Sequence, residues 1–144
     1  MPNPKLGKTD DEKDLHYSVG AIIKNEKGEY LLIDRANFPY GFACPAGHID
    51  SGEKAFTAMI REVREETGYD VVYYDVLEEK VLEENPCTRG VTVHHWVVYR
   101  ATVTGQMKEN LQEAKSIGWY LPEQIKKLKL EPVWDFWLKR FKII

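Results

Sequence analysis

The sequence predicts an α/β (α+β) fold, a sandwich in which helices pack against a central mixed β-sheet. β-rich segments lie before and after one strongly patterned helix, and two proline-initiated helices follow near the end of the chain. The 144 residues, 43% hydrophobic and 30% charged, suit one domain with a substantial core. Because the first residues are polar, charged and include two prolines, we expect a flexible N-terminal arm at 1–14 and a single domain at 15–144.

The first part of the chain predicts a β-hairpin followed by a short strand. Residues 17–23 and 29–35 are rich in strand-forming side chains, and the turn-forming segment 25–28 lies between them. Residues 36–41 contain a proline and a glycine and predict a loop, and residues 42–46 predict a short strand. That strand leads directly into the patterned helix.

The second part of the chain predicts the remaining strands and two helices. Three β-rich stretches follow the patterned helix, at residues 71–84, 91–103 and 116–121. A loop at 85–90 separates the first two and could border a pocket. Pro122 is expected to open a helix that runs to about residue 129, and Pro132 is expected to open another.

The last helix carries an apolar stripe with helical spacing, formed by Trp134, Trp137, Leu138 and Phe141. Core packing explains such a stripe in most proteins. The alternative is a homodimer interface, which would use the same apolar face.

The patterned helix is predicted from about residue 50 to residue 67. Asp50 followed three residues later by Glu53 is typical of a capping box, and Gly68 supplies the left-handed residue that ends many helices. One face carries an apolar stripe at i, i+3, i+4 and i+7 spacing, formed by Phe56, Met59, Ile60, Val63 and Thr67. We therefore expect this helix to face the core on one side and to present its glutamates on the other.

Three of those glutamates, Glu62, Glu65 and Glu66, fall within two turns near the end of the helix. Like charges three or four residues apart repel, and the end of a helix disfavours negative charge. A divalent cation would reverse these effects, because such cations take carboxylate, carbonyl and water oxygens as ligands. The alternative is a solvated acidic face, partly balanced by Arg61 and Arg64.

The segment that contains these glutamates resembles the signature of the Nudix hydrolases, G-x5-E-x7-R-E-U-x-E-E-x-G-U, in which U is a bulky aliphatic residue. Eight positions match with the required spacing, namely Gly47, Glu53, Arg61, Glu62, Val63, Glu65, Glu66 and Gly68. Tyr69 stands at the last position in place of an aliphatic residue. Since that position packs rather than reacts, we interpret the difference as an adjustment of the core.

The resemblance implies the same sandwich, with the motif forming a loop-helix-loop, and it implies site residues. The metal ligands would be Glu62, Glu65 and Glu66 together with the backbone carbonyl of Ala46 or Gly47. The expected ions are one to three Mg²⁺, with Mn²⁺ as an alternative, and Glu62 or Glu66 would take a proton from the attacking water. Arg61 would pair with Glu53 and orient the cluster, and Glu53 would be a capping residue, an outer-shell ligand or both.

Nudix proteins commonly take a further acid from a loop that precedes a tryptophan on a later strand. Glu113, six residues before Trp119, is the candidate for this additional metal ligand, and Glu109 is the second choice. The alternative for either residue is an ordinary solvated loop carboxylate.

Five residues are candidates for substrate binding. Arg35 and Arg89 could contact phosphate, although arginines are common on loops. Tyr40, Phe42 and Trp96 could stack on a base or sugar, and core packing is the alternative for each.

His94 and His95 are adjacent on a predicted strand. Their side chains must point to opposite faces of the sheet, so at most one can reach a pocket. An ordinary buried or surface histidine is the alternative for each.

Composition excludes several classes of partner. The net charge of −3 gives no basic surface for polymeric nucleic acid, and we find neither a signal peptide nor an apolar run long enough to span a membrane. Cys44 and Cys87 have no metal-ligand spacing and are interpreted as reduced thiols. We therefore expect a cytoplasmic protein whose partner is a small molecule.

The sequence thus predicts a metal-dependent hydrolase that cleaves a phosphoanhydride bond in a nucleoside diphosphate linked to another moiety. A nucleoside triphosphate, a nucleotide sugar and a dinucleotide all remain open as substrates, because Pro86 matches the family's subgroup markers too loosely to choose among them. The alternative is a catalytically silent Nudix-fold module that binds nucleotides or regulates another protein.

Overall fold

In the part of the chain that the structure describes, strands dominate the fold, with one long helix in the middle and two helices at the end. The computed structural model describes residues 4–9, 13–83, 93–110 and 112–144. Within these ranges the elements are β1 (Leu6–Lys8), β2 (Asp14–Ile23), β3 (Tyr30–Arg35), β4 (Gly41–Ala43), β5 (Ala46–His48), α1 (Ala55–Thr67), β6 (Asp70–Leu82), β7 (Val93–Thr104), β8 (Ala114–Tyr120), α2 (Pro122–Ile125) and α3 (Pro132–Arg140). None of the helices in these ranges is long and apolar enough to cross a membrane.

The central sheet is mixed, as predicted. Its strand order is β1-β2-β7-β6, and β5 also pairs with β2. β2 and β7 run parallel from the pair Leu15 and Val93 to the pair Ile23 and Ala101, whereas the other pairs in this sheet are antiparallel. A second sheet has the order β4-β3-β8.

Helices cover both faces of the central sheet, which confirms the α/β/α sandwich. Along β2, Val19, Ala21 and Ile23 belong to a core cluster with Met59 and Val63 of α1. The intervening residues point the other way, because successive side chains of a strand alternate between faces. On that second face, Ile22 packs in a cluster that includes Trp134 and Trp137 of α3.

The apolar stripe of α3 belongs to the core of this chain. Trp134, Trp137 and Leu138 are fully buried, and the ring of Phe141 stacks on that of Trp137 with centroids 5.7 Å apart. Core packing therefore accounts for this stripe. A homodimer stays a prediction, without support from these side chains.

Cys44 lies in the same core as a free, buried thiol. Burial raises the pKa of this thiol, which keeps it protonated and unreactive. Cys87 lies outside the described residues.

The N-terminal segment is paired where a loose arm was expected. Leu6–Lys8 forms antiparallel pairs with Asp14, Leu15 and His16 of β2, and the N–H of Lys5 donates to the carbonyl of Ile49 at 2.7 Å. β5 covers β2 only from Ser18 to Gly20, so the earlier part of this edge has backbone groups that need partners. β1 supplies them.

The predicted strand at 42–46 is two strands in two different sheets. β4 pairs with β3, whereas β5 pairs with β2, and Pro45 lies between them. Proline has no N–H to donate to a ladder, so the pairing breaks there. The carbonyl of Pro45 accepts from the N–H of Ala21 at 2.9 Å, which directs the chain onto β2.

Helix α1 begins later than the predicted capping box. Its N-cap is Lys54, which makes no side-chain capping bond, and its first helical residue is Ala55. Glu53 does accept a hydrogen bond from the N–H of Asp50 at 3.0 Å, but this bond closes a turn before the helix. Gly52 has φ +80°, a conformation that a right-handed helix excludes.

The rest of α1 follows the prediction closely. Met59, Val63 and Thr67 are buried, although Phe56 is partly exposed and stacks on Tyr74. Gly68 has φ +83° and donates its N–H to the carbonyl of Arg64, which ends the helix as expected.

Helix α2 is shorter than predicted and ends at Ile125 rather than near residue 129. The two backbone N–H groups that follow Lys126 donate to carbonyls three residues earlier, which tightens the chain into turns. The chain must become extended again at Leu130, because this residue forms a bridge with Phe42. The bridge therefore sets the end of the helix.

We predict that Gly20→Ala destabilises the protein by about 1–3 kcal/mol, the usual effect of overpacking a core. A Cβ atom at position 20 would lie 2.5 Å from Cη2 and Cζ2 of the Trp134 ring. The free energy of unfolding in urea measures the effect.

Trp134→Phe provides the control, because a phenyl ring lacks the outer atoms of the indole that meet the new methyl group. In that background Gly20→Ala should be less destabilising, and a double-mutant cycle should show coupling. An equal loss in both backgrounds would contradict this account.

Candidate active site

The three motif glutamates differ in burial, although all three were expected to face away from the core. Glu66 is 4% exposed, the side chain of Glu62 is 15% exposed, and that of Glu65 is 51% exposed. The prediction is therefore wrong for Glu66 and holds best for Glu65. The difference arises because β5 lies beside this flank of α1, as the contacts of Glu66 and Glu62 show.

Glu66 is anchored to the backbone of β5. Its Oε1 atom accepts a hydrogen bond from the N–H of Ala46 at 2.7 Å. Burial raises the pKa of Glu66 well above its usual value, the charges of Glu62 and Glu113 raise it further, and the Ala46 hydrogen bond opposes them. The fold thus holds this carboxyl where its negative charge is poorly solvated.

Glu62 lies directly against the second residue of β5, Gly47. A Cβ atom at Gly47 would overlap the carboxyl carbon and both oxygens of Glu62, so only glycine leaves room for this carboxylate. Burial raises the pKa of Glu62 to about 7, with Arg61 opposing and the charges of Glu65 and Glu113 adding to the shift. Gly47 therefore forms one wall of the carboxylate cluster.

Arg61 joins the helix to the loop before it. Its Nε and one terminal nitrogen donate to the two carboxylate oxygens of Glu53, both at 2.9 Å. The other terminal nitrogen donates to Glu62 at 2.7 Å and to Glu65 at 3.4 Å. The carbonyl of His48 accepts a further bond at 3.1 Å. These contacts agree with the pairing of Arg61 and Glu53 that the motif implies.

Glu53 is fixed by these contacts as an ionised group. The hydrogen bonds from Arg61 are the largest cause that lowers the pKa of Glu53, and the N–H of Asp50 adds to the effect. Both oxygens of Glu53 are thus occupied by the guanidinium of Arg61.

Glu113 lies close enough to the cluster to affect it. Its charge raises the pKa of both Glu62 and Glu66. Glu113 is exposed and immediately precedes β8, and its carbonyl accepts from the N–H of Ala36 at 3.0 Å. This influence on both carboxylates favours Glu113 as the loop acid beside the cluster.

The donor set of the cluster fits a hard divalent cation. Glu62 and Glu66 are carboxylates with pKa values raised by burial, and such groups ionise readily only when positive charge is brought to them. Oxygen ligands of this kind are those that Mg²⁺ prefers. Glu65 and Glu113 are exposed, so the cluster also opens towards solvent, where a substrate can enter.

Arg35 connects the cluster to a neighbouring pocket. It ends β3, donates from Nε to the carbonyl of Pro39 at 2.7 Å, and lies 3.9 Å from a carboxylate oxygen of Glu131. Its positive charge lowers the pKa of Glu66 and also that of Glu131. Arg35 therefore acts electrostatically on Glu66 of the cluster and on Glu131 of the pocket.

The pocket has a volume of about 420 Å³ and is lined mainly by apolar side chains. Its lining comes from the β3–β4 loop, the end of β6 and the segment before and within α3, and comprises Phe38, Pro39, Tyr40, Leu82, Glu83, Lys129, Leu130, Glu131, Pro132, Val133 and Phe136. Burial raises the pKa of Glu131 to about 7, and the charge of Arg35 opposes the shift.

Sequence reasoning identified Tyr40 in this pocket and missed Glu131. A Cβ atom at Gly41 would lie 2.5 Å from the backbone nitrogen of Glu131, so the β3–β4 loop and the start of α3 touch through a glycine. No local pattern marks a contact between segments ninety residues apart in the chain, and only the fold brings them together.

The other predicted substrate residues have different surroundings. Trp96 is buried, with its ring in edge contacts with Trp134 and Trp137, which favours the core-packing alternative. Phe42 is half-buried and packs against Tyr120, and its backbone bridges to Leu130 beside the pocket. Arg89 lies outside the described residues.

Tyr69, the departure from the motif, packs as expected. It borders the core cluster under α1, and its hydroxyl accepts a hydrogen bond from the indole N–H of Trp119 at 3.3 Å. The aromatic ring is therefore accommodated by the core and by Trp119.

Comparison with known proteins identifies related enzymes and structures. The 8-oxo-dGTP diphosphatase of Escherichia coli (strain K12) is 33% identical over 91 residues, which cover 61% of this chain and 68% of that protein. The asymmetrical bis(5'-nucleosyl)-tetraphosphatase of Mus musculus is 32% identical over 77 residues, 52% of each protein. The crystal structure of a MutT protein from Methanosarcina mazei Go1 superimposes with a TM-score of 0.74 at 27% identity, covering 91% of this chain and 95% of that one.

The matched regions cover only 36%, 37% and 50% of three other curated relatives, so the match spans half or less of each of them. The family model described as the NUDIX domain matches residues 14–141, which is most of the chain. This chain therefore belongs to the Nudix hydrolase family, which cleaves nucleoside diphosphate derivatives.

Proposed function

We propose that this protein is a metal-dependent hydrolase that cleaves a phosphoanhydride bond in a nucleoside diphosphate linked to another moiety. The observation that carries the proposal is the pair of buried carboxylates, Glu62 and Glu66, which the fold keeps close together and poorly solvated. A protein that only bound a nucleotide would gain nothing from this repulsion. A catalytic metal centre needs such a group of carboxylates as ligands, and the bound cation relieves their repulsion.

The ligands of the ion would be Glu62, Glu65 and Glu66, a backbone carbonyl of Ala46 or Gly47, and Glu113. We propose Mg²⁺, with Mn²⁺ as the alternative, because all these groups are oxygen donors. When bound, such an ion neutralises charge on phosphoryl oxygens and activates water. Arg61 and Glu53 would keep the carboxylates in place as positioning residues.

We favour Glu62 over Glu66 as the group that accepts the proton from the attacking water. One oxygen of Glu66 already accepts the N–H of Ala46, and the side chain is almost fully buried. Glu62 is the more exposed of the two and lies at the edge of the cluster towards Glu65. A base must reach a water molecule within hydrogen-bonding distance, so exposure decides between them.

The nucleoside part of the substrate would occupy the pocket beside Arg35. Its volume falls within the usual range for ligand sites, about 300–1,000 Å³. Tyr40, Phe38 and Leu130 offer apolar surface for a base, while Arg35 would bind the phosphate that leads into the carboxylate cluster. The names of the two relatives above indicate nucleotide substrates, which agrees with a nucleoside triphosphate or dinucleotide.

We predict that Glu66→Gln, which alters a metal ligand, lowers Mg²⁺-dependent turnover by more than the roughly 10–100-fold that changes to outer-shell partners cause, while making the metal-free protein more stable at pH 8. The amide can still accept the Ala46 hydrogen bond but carries no buried negative charge. Product release from a nucleotide panel and melting temperatures with and without Mg²⁺ measure the two effects.

Glu123→Gln, on the exposed first turn of α2, serves as the matched control and should change neither quantity. Full turnover in Glu66→Gln would refute the metal-centre assignment. Nucleotide binding by the wild type without any turnover would instead support the silent-module alternative.

Arg61→Lys should reduce kcat by at least about tenfold and lower the free energy of unfolding by about 1–3 kcal/mol, because an ammonium cannot replace the paired bonds to Glu53. Steady-state kinetics and urea unfolding test both. The control is Arg64→Lys, since Arg64 lies on the same helix and pairs with Asp70 on the exposed side. Equal effects of the two substitutions would exclude a special role for Arg61.

The stability of the protein should depend on the charge of Glu131. Its pKa is higher in the fold than in the unfolded chain, so the folded state favours the protonated form. Glu131 therefore costs no stability below a pH of about 4.5. The free energy of unfolding falls as the pH rises from about 4.5 to about 7.

In the presence of EDTA, Glu131→Gln should remove this part of the pH dependence. The variant should gain stability relative to the wild type by up to roughly 3 kcal/mol between pH 4.5 and pH 8. Urea unfolding across this range measures the difference. A constant difference at all pH values would show that Glu131 does not titrate with the raised pKa.

A further inference from the structure

We propose that His16, His48 and His94 form a second metal site, which takes a transition ion such as Zn²⁺ and is separate from the carboxylate cluster. The chain contains four histidines, and three of them meet at this point. The potential ligand atoms of these three side chains all lie within 4.8 Å of one another.

The register of the central sheet brings the three histidines together. His16 of β2 lies opposite His94 of β7 in the parallel pair, and Ser18 of β2 lies opposite His48 of β5. His16 and Ser18 are two residues apart and therefore share a face of the sheet. Three neighbouring strands thus each contribute one imidazole to the same surface.

The distances between the rings suit a small ion. The ring centroids of His16 and His48 are 4.9 Å apart, and each lies 5.7 Å from the centroid of His94. Zn–N bonds of about 2.0–2.1 Å place the nitrogens of a tetrahedral shell roughly 3.4 Å apart. The potential ligand atoms are at most 4.8 Å apart, so each pair would have to approach by no more than about 1.4 Å to reach that value.

The chemistry of the donors selects the class of ion. Imidazole nitrogens favour Zn²⁺, Co²⁺, Ni²⁺ and Cu²⁺, whereas Mg²⁺ prefers oxygen. His16 and His94 are buried, at 3% and 2% exposure, while His48 is half-buried. An ion would enter from the side of the half-buried His48, and a water molecule would serve as the fourth ligand.

The two sites lie on opposite sides of β5. The side of Gly47 that a Cβ atom would occupy faces Glu62, so the adjacent side chain of His48 points to the other face of the strand. The backbone of the same strand contacts the carboxylate cluster, since the carbonyl of His48 accepts from Arg61 and the N–H of Ala46 donates to Glu66. An ion held by the histidines would tie β5 to β2 and β7.

The experiment uses the full chain with Glu62→Gln and Glu66→Gln introduced together, which removes the carboxylate site as a competing ligand set. Zn²⁺ should bind with a stoichiometry of one in the presence of excess Mg²⁺ and should raise the melting temperature. Co²⁺ should give the intense visible absorption of tetrahedral nitrogen coordination. Neither result depends on hydrolytic activity, so the outcome is independent of the proposed function.

In this background, His48→Asn and His94→Gln should each weaken Zn²⁺ binding by more than the about 10–100-fold that changes to outer-shell partners cause. His95→Gln is the matched control, because His95 is adjacent in sequence, lies on the other face and contacts Glu79 at 3.6 Å. It should leave binding and the Co²⁺ spectrum unchanged. Binding that survives His48→Asn, or that His95→Gln abolishes equally, would overturn the proposal.

A crystal of the wild-type chain soaked with Zn²⁺ gives a test that does not depend on how the variants fold. An anomalous peak among the three imidazoles would support the site. A peak confined to the glutamates, or none at all, would show that the histidines form only a packed polar cluster.

Discussion

The carboxylates of Glu62 and Glu66 are held against the backbone of β5, largely out of water, and this placement governs the geometry of the site. Taking a carboxylate out of water costs several kcal/mol unless partners compensate it. The N–H of Ala46 compensates Glu66 in part, and the guanidinium of Arg61 compensates Glu62 in part. The pKa values of both carboxyl groups are nevertheless raised, so the compensation is incomplete. The fold tolerates this because α1 is held in place by its apolar face, where Met59 and Val63 are buried under the sheet. Stability from the core thus supports an electrostatic arrangement that would not persist on an isolated helix.

Arg61 makes that arrangement specific. Its planar guanidinium donates to Glu53, to Glu62 and to the carbonyl of His48, so one side chain fixes the loop, the helix and β5 relative to one another. The loop must then leave the helical path, and Gly52 with φ +80° lets it do so. This is why Glu53 lies before the helix and faces Arg61, and why the helix begins only at Ala55. A standard capping box would have placed Glu53 on the first turn, where its carboxylate could not meet the guanidinium in the same way.

Features set by local sequence were predictable, and features set by pairing between distant segments were not. Helix α1 and its apolar stripe follow from the helical spacing of the apolar residues, and its end follows from the left-handed Gly68. The burial of Glu66 could not be read from the helix, because β5 covers it and the position of β5 depends on Pro45. The pocket at Glu131 and the meeting of three histidines both require segments far apart in sequence to become neighbours. His94 and His95 show how far the local pattern reaches. The alternation of side chains along a strand predicted that they lie on opposite faces of the sheet, but it could not predict that His94 lies beside His16.

The switch of the chain between sheets at Pro45 links these features. Had residues 42–48 continued as one strand, they would have remained beside β3 in the smaller sheet, away from β2. Instead the chain crosses at Pro45, whose carbonyl accepts from Ala21, and β5 pairs with β2 from Ser18 to Gly20. Because side chains alternate along a strand, this placement turns position 47 towards α1 and position 48 towards His16. Position 47 must then be glycine to admit the Glu62 carboxylate, while position 48 is free to carry a large side chain on the opposite face. The break in backbone pairing at Pro45 therefore determines both contacts of β5. On one side Gly47 faces Glu62 of α1, and on the other His48 faces His16.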